Sequence, residues 1–185
     1  MVEPSRFIER WQEQILKGIL PKLLQDYSLI RVSPDGFANR NIPEASKRFL
    51  IEAGLPKSAA PYLSFTDLAD SLRPVWEIWG NPDDWNEADR LRLSRYYVIG
   101  SDGNSGNPIC IDEADGGNIV TLEHEDWFAS VMFVNSSVPQ LAEFLLLFNG
   151  ADTEQQIVVE LEQVDSDALK EGCFWRYELD AGVDV

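Results

Sequence analysis

YYVIGSDGNSGNPICIDEADGGNIVTLEHEDWFASVMFVNSSVPQLAEFLLLFNG, Tyr96 to Gly150, alternates short apolar segments with loops of Gly, Asn and Asp, then ends in one longer apolar repeat. The pattern predicts strands at Tyr96–Gly100, Pro108–Asp112, Asn118–Leu122 and Ala129–Asn135. The loops Ser101–Asn107 and Glu113–Gly117 have the length and chemistry of antiparallel hairpins. Val131–Val134 is apolar on both faces, which predicts a central strand covered on two sides. Leu141, Phe144, Leu145 and Phe148 recur at helical spacing, so a helix is expected over Val138–Asn149. Ser137 is its expected cap, with Gln140 reaching back in a capping box.

Upstream, Pro4–Leu24 has a helical period: Phe7, Ile8, Trp11, Ile15, Ile19 and Leu23 fall largely on one side. Ser5 is the expected N-cap and Pro21 the expected stop. Tyr27–Val32 reads as a short strand. Pro43–Ala53 reads as a helix with Pro43 in its first position, and Gly54 suits the left-handed residue that ends it. Tyr62–Phe65 is a strand candidate and Asp67–Leu72 a turn of helix. Val75–Trp79 is expected as a strand presenting Trp76 and Trp79 on one face. Trp85–Arg95 is a helix or an excursion from the fold. Downstream, Thr153–Val164 fits a helix better than a strand, with Asp152-Thr153 as its cap. Asp165-Ser166-Asp167 can start one more short helix, and Cys173-Phe174-Trp175 is expected to dock on the core. Together these elements predict a single α+β domain over 1–185: a central antiparallel sheet of about 4–6 strands with helices packed around it.

The formal charge is −17, and nearly all of it lies in the second half, where only Lys170 and Arg176 oppose the acids. A field of that sign disfavours nucleic acid and anionic membrane and attracts basic partners. Arg90, Arg92 and Arg95 form a dense basic cluster, expected to pair with the acidic half. Two cysteines, Cys110 and Cys173, make no disulfide framework. The start, Met-Val-Glu-Pro-Ser-Arg, lacks the order of a signal peptide, and no apolar run approaches a membrane span, so a cytoplasmic location is expected.

No catalytic constellation emerges. Asp102–Glu113 places oxygen ligands at positions 1, 3 and 12 of a calcium loop, but its glycine, Gly106, is one place early and its flanks read as strands; a hairpin is expected, with no metal. His124 is the only histidine, so Glu123-His124-Glu125-Asp126 is similar to half a zincin motif and no more. Ser130 has no nucleophile elbow. The chemistry of the residues supports an acidic α+β domain, expected to be neither an enzyme nor a cofactor binder, and stops short of a function.

A set of motifs carries the reading further. Ile42-Pro43 with Phe49-Leu50 and Gly54-Leu55-Pro56 resembles the opening of proteins of the SUKH superfamily, closest to its fourth subfamily. So does Tyr97-Val98-Ile99-Gly100, followed by Ile109-Cys110-Ile111-Asp112. Phe133-Val134-Asn135-Ser136-Ser137-Val138 resembles the family's strand-to-helix junction, and Val164-Asp165 with Phe174-Trp175 its ending. The resemblance covers about residues 40–176, with Trp79–Arg95 longer and more charged than the family pattern. It implies the α+β fold. It also implies a bacterial immunity protein that binds and neutralises a cognate toxin, often a nuclease, in polymorphic or contact-dependent systems. The superfamily's Syd and Knr/Smi-type members imply an alternative, a non-catalytic scaffold or regulator. No catalytic residue comes with the resemblance. The expected partner is a basic toxin, without direct nucleic-acid or membrane contact. Its expected contacts are Asp112, Glu113 and Asp115 in one loop and Glu123, Glu125, Asp126 and Trp127 in the next, unless Trp127 and Phe128 are buried against the sheet. Gly54, Asn135, Ser136 and Ser137 are expected as structural junctions.

Overall fold

A computed structural model describes residues 1–20, 26–65, 72–150 and 154–181. Six strands form one antiparallel meander in chain order: β3 (Ser58–Ala59), β4 (Leu63–Phe65), β5 (Tyr96–Asp102), β6 (Pro108–Asp112), β7 (Asn118–Leu122) and β8 (Val131–Asn135). A separate pair joins β1 (Leu29–Ile30) to β2 (Leu55–Pro56). The α+β arrangement of helices around a sheet is as expected.

The sheet is covered on both faces. Along β5 to β7, side chains alternate between two cores, as the two-residue strand period requires. Tyr97, Ile99, Ile109, Ile111 and Ile119 enter the larger core. Tyr96, Val98, Cys110, Val120 and Leu122 enter the smaller one. The larger core is closed by α1 (Pro4–Lys17), α2 (Glu44–Glu52), α5 (Val138–Gly150), α6 (Glu154–Asp165) and α7 (Phe174–Asp180). The smaller one is closed by the connection from β4 to β5. There α3 (Val75–Ile78) and α4 (Glu87–Leu93) bring Val75, Trp85 and Leu93 against the sheet, with Trp76 and Trp79 packed beside them. The charged stretch before β5 is therefore the lid of the second face. Burying each large apolar side chain there stabilises the fold by roughly 1.5–3 kcal/mol.

Several expectations are corrected. Val75–Trp79 is not a strand. Its tryptophans are three residues apart, which matches the period of a helix rather than that of a strand, and α3 is helical. β8 is an edge strand rather than a central one, because the sheet follows chain order and β8 is last. Val131 is 45% exposed, and the apolar character of β8 is explained by α7 and the 3-10 turn Ser166–Leu169 packing against it. Of the longer strands, β5, β6 and β7 are buried along nearly their whole length.

α1 starts after Glu3 with Pro4 in its first turn, so Ser5 is not the cap. It ends at Gly18, whose φ of +66° takes the left-handed turn before Pro21 is reached. Its buried side is Phe7, Trp11 and Gln14, which leaves Ile15 and Ile19 more than a third exposed. Pro43 is the residue before α2, not its first. Gly54 has φ +76°, and a Cβ there would lie 2.1 Å from the Ile30 carbonyl oxygen, so β1 can approach only a glycine. Thr153–Val164 is helical from Glu154 onward; the expected cap Asp152-Thr153, the turn at 67–71 and residues 21–25 lie outside the described residues.

Candidate interaction surface

The two acidic loops lie at opposite ends of the sheet. β7 alone joins them, so its five residues hold the loops roughly 16 Å apart. They do not form one surface.

At the first end the carboxylates are mostly engaged. Arg95, just before β5, donates from Nε and Nη2 to the two oxygens of Asp112, each at 2.6 Å. Asp112 is 4% exposed and also accepts the Ala114 N–H at 3.1 Å. The Arg95 guanidinium lies over the Tyr96 ring, and its hydrogen bonds to Asp112 strengthen its hold on its proton. Glu113 accepts from the Asn41 backbone N–H and from the Tyr97 hydroxyl, which ties the 38–43 loop to the hairpin. Asp115 is exposed, accepts from its neighbour Asn118 at 3.1 Å and adds to the negative field around Arg95. The expected pairing of the arginine cluster with the acidic half is realised in Arg95. Arg92 instead pairs with Asp89 and with two carbonyl groups described below.

The second end is built from hairpin tips. Asn107, at the β5–β6 turn, donates to Glu123 at 3.0 Å and accepts the His124 N–H at 2.9 Å. The Glu125 N–H also binds Glu123, and these bonds, the Glu125 one first, hold the Glu123 carboxyl below its ordinary range. Asp126 accepts the N–H groups of Ala129 and Ser130 at 2.9 and 3.0 Å. Hydrogen bonding from Ser130 leads the causes that lower its pKa. Glu125 is exposed.

Trp127 and Phe128 follow with φ near +60°, a costly conformation for bulky residues. Arg92 holds this turn, donating to the Phe128 carbonyl at 2.6 Å and the Trp127 carbonyl at 3.0 Å. The two rings part company. Phe128 is buried between Trp79 and Trp85, whereas Trp127 is 63% exposed and rests edge-on against Trp85, with ring centroids 5.7 Å apart. Burial against the sheet therefore holds for Phe128 and is corrected for Trp127.

The β3–β4 turn reaches the same end, since Gly103 donates to the Tyr62 carbonyl at 2.8 Å. Tyr62 is half exposed and also has positive φ, +87°. Neither Tyr62 nor Asn107 is singled out in the sequence. The signal for Tyr62 is its place after Pro61 in a turn rather than inside a strand.

The strand-to-helix junction is a closed polar network. Asp165, 5% exposed at the end of α6, accepts the Ser136 N–H at 2.7 Å, the Ser136 hydroxyl at 2.9 Å and the Asn135 amide at 3.3 Å. The Asn135 side-chain oxygen accepts the Trp175 indole N–H at 2.9 Å. Ser137 caps α5 by accepting the Gln140 N–H at 3.4 Å, and Gln140 reaches back to the Ser137 hydroxyl. Its side chain accepts the Ser137 hydroxyl at 2.6 Å and donates to the Val164 carbonyl at 3.0 Å, linking α5 to α6.

The calcium-loop spacing comes apart in three dimensions, because β6 runs between Asp102 and Glu113 and carries them to opposite ends of the sheet. Asp102 turns to its own loop, accepting from Asn104 and Ser105. Among the described residues no group of three or more His, Cys, Asp or Glu is arranged to hold a metal ion. Burial pushes both cysteine thiols up, which disfavours a thiolate. No helix among the described residues is long and apolar enough to cross a membrane.

A sheet covered on both faces by helices, with polar networks at its junctions and charge and aromatic rings at its hairpin tips, defines an α+β protein. The model of the SUKH-4 immunity protein family matches residues 15–179, so the chain belongs to that family. The match starts inside α1, well before the motifs beginning at residue 42. No curated protein and no solved structure matches the chain.

Proposed function

We propose that this immunity protein neutralises its cognate toxin by direct binding, without catalysis of its own, and that the toxin is a basic protein, a nuclease in the reading that fits the charge best. The observation that carries this is the charge distribution: the chain holds −17 overall, concentrated from β5 onward, and that stretch supplies most of the sheet and its hairpin tips. Enzymes that act on nucleic acid present basic clefts to a polyanion. An acidic inhibitor fits such a cleft, and complementary charge accelerates encounter and rejects wrong partners. The same field repels nucleic acid, so the inhibitor competes for the enzyme and not for its substrate. The cytoplasm, where those substrates lie, is the place of action.

The test is co-expression with the toxin domain encoded beside this chain. Protection of the host is expected, together with an association rate that falls steeply between about 50 and 500 mM salt as charges are screened. A toxin that kills equally well with and without this chain, or a protective complex whose association rate ignores salt, overturns the proposal.

A further inference from the structure

We propose that the toxin is gripped at one end of the sheet, by Trp127 and Tyr62 acting as aromatic anchors on either side of the β5–β6 turn. This placement rests on the toxin-binding reading above and goes beyond it by choosing between the two ends of the sheet.

Exposure comes first. Trp127 and Tyr62 are 63% and 50% exposed, although aromatic rings are normally drawn into a core. Both sit at hairpin tips of the same sheet end, four strand spacings apart from tip to tip, which is roughly 19 Å. That span fits within one face of a standard protein interface of about 800 Å² per partner.

Presentation comes second. Trp127 does not hang from a loose loop. Arg92 holds its carbonyl, Trp85 supports its ring, and Asn107 fastens Glu123 and His124 just before it. A rigid, exposed aromatic loses little conformational freedom on binding, which is what makes such side chains binding hot spots. Between the anchors lie the small exposed residues Gly103, Asn104, Ser105 and Gly106, which let a partner approach the backbone.

Charge selects the occupant. Glu123, Glu125 and Asp126 precede Trp127 directly, and hydrogen bonds from uncharged donors orient the first and last without cancelling their charge. A second copy would bring −17 against −17. A basic protein instead places Lys or Arg against the carboxylates and over the indole face, where a cation is attracted to the ring. The opposite end offers less, because Asp112 is buried and neutralised by Arg95, whereas Glu123 and Asp126 accept only from uncharged donors and Glu125 is exposed.

The test is affinity for the toxin domain encoded beside this chain, prepared as an inactive variant, by calorimetry. Trp127→Ala is expected to weaken binding at least about 30-fold, as a hot spot does. Tyr62→Ala should weaken it about 10-fold, and the exposed reversal Glu125→Arg about 10-fold with a slower association rate. Asp115→Ala at the other end and Leu16→Ala, an 87% exposed apolar side chain on α1, should stay within about 2-fold of wild type. Near-UV circular dichroism of each variant checks that the fold is kept, and Glu125→Arg keeps the question answerable if Trp127→Ala loosens the loop. Wild-type binding with all three end variants unchanged overturns the placement alone. Absence of wild-type binding overturns the toxin-binding reading beneath it. A wild-type dimer that Trp127→Ala dissociates overturns the choice of occupant.

Discussion

Replacing Asp165 by Ala is expected to cost about 3–4 kcal/mol of stability. Three donors converge on this carboxylate at 2.7–3.3 Å: the backbone N–H and hydroxyl of Ser136 and the amide of Asn135. Asn135 and Asp165 are 0% and 5% exposed, so water does not readily take over the vacated bonds. A hydrogen bond to a charged group contributes roughly 1.5–3 kcal/mol, and each buried donor left unpaired costs about 1–3 kcal/mol. The donors share one acceptor group, so these figures do not add. The total stability of such a domain is about 5–15 kcal/mol, so the loss is a large fraction of it. Asp165→Asn keeps one oxygen acceptor but turns an amide N–H₂ toward the donors, and should cost about 1–2 kcal/mol less than Asp165→Ala. The assay is urea unfolding followed by tryptophan fluorescence, with the slope checked so that a midpoint shift reports stability alone. Asn135→Ala and the double variant complete a cycle. Since Asn135 also receives the Trp175 indole N–H, the cycle should show coupling of at least about 1 kcal/mol. An Asp165→Ala loss under 1 kcal/mol, or strict additivity with Asn135→Ala, refutes the idea that this network locks β8, α6 and α7 together.

Two further outcomes are expected. Arg95→Ala leaves the buried Asp112 carboxylate without its two-pronged partner. The loss should be about 2–3 kcal/mol, below the full value for a buried pair because the Arg95 side chain is 38% exposed, and Arg95→Lys should recover part of it in the same unfolding assay. Asp26 titrates low, at about 2, chiefly through hydrogen bonds from Ser28, with Lys57 beside it. Its folded pKa lies below the unfolded value, so its contribution to stability is present above about pH 4 and is lost as pH falls toward 2. Nuclear magnetic resonance titration of the carboxyl should give the low midpoint, and Asp26→Asn should flatten that part of the acid-unfolding curve. An ordinary carboxylate midpoint would contradict it.

The strands were more legible than their places. Pro108–Asp112 and Asn118–Leu122 are found as expected, because the Gly-, Asn- and Asp-rich turns before each of them and the charged residues after them leave the period-two pattern only one frame. The position of β8 was not legible. Val-Met-Phe-Val says that both sides of a strand are covered, but a neighbouring strand and a helix packed over the edge leave the same apolar signature. Trp76 in α3 and Trp79 just after it were legible in principle, since a spacing of three is a helical spacing.

The candidate site shows where a local reading stops. In a meander, successive hairpin loops alternate between the two ends of the sheet. The strand assignment therefore already separates Glu113–Gly117 from Glu123–Trp127 and sets the latter beside Ser101–Asn107. Parity of this kind follows from topology, and similarity of charge in the two loops obscures it. What no count of strands supplies is which acids are engaged within the fold. Asp112 and Glu125 are equally acidic in sequence, yet Arg95 engages one and leaves the other exposed. That difference comes from the lid over the second face, which places Arg95 at the start of β5 and Arg92 under the Trp127 turn. The Trp79–Arg95 stretch thus both closes the smaller core and sets what the acidic end displays.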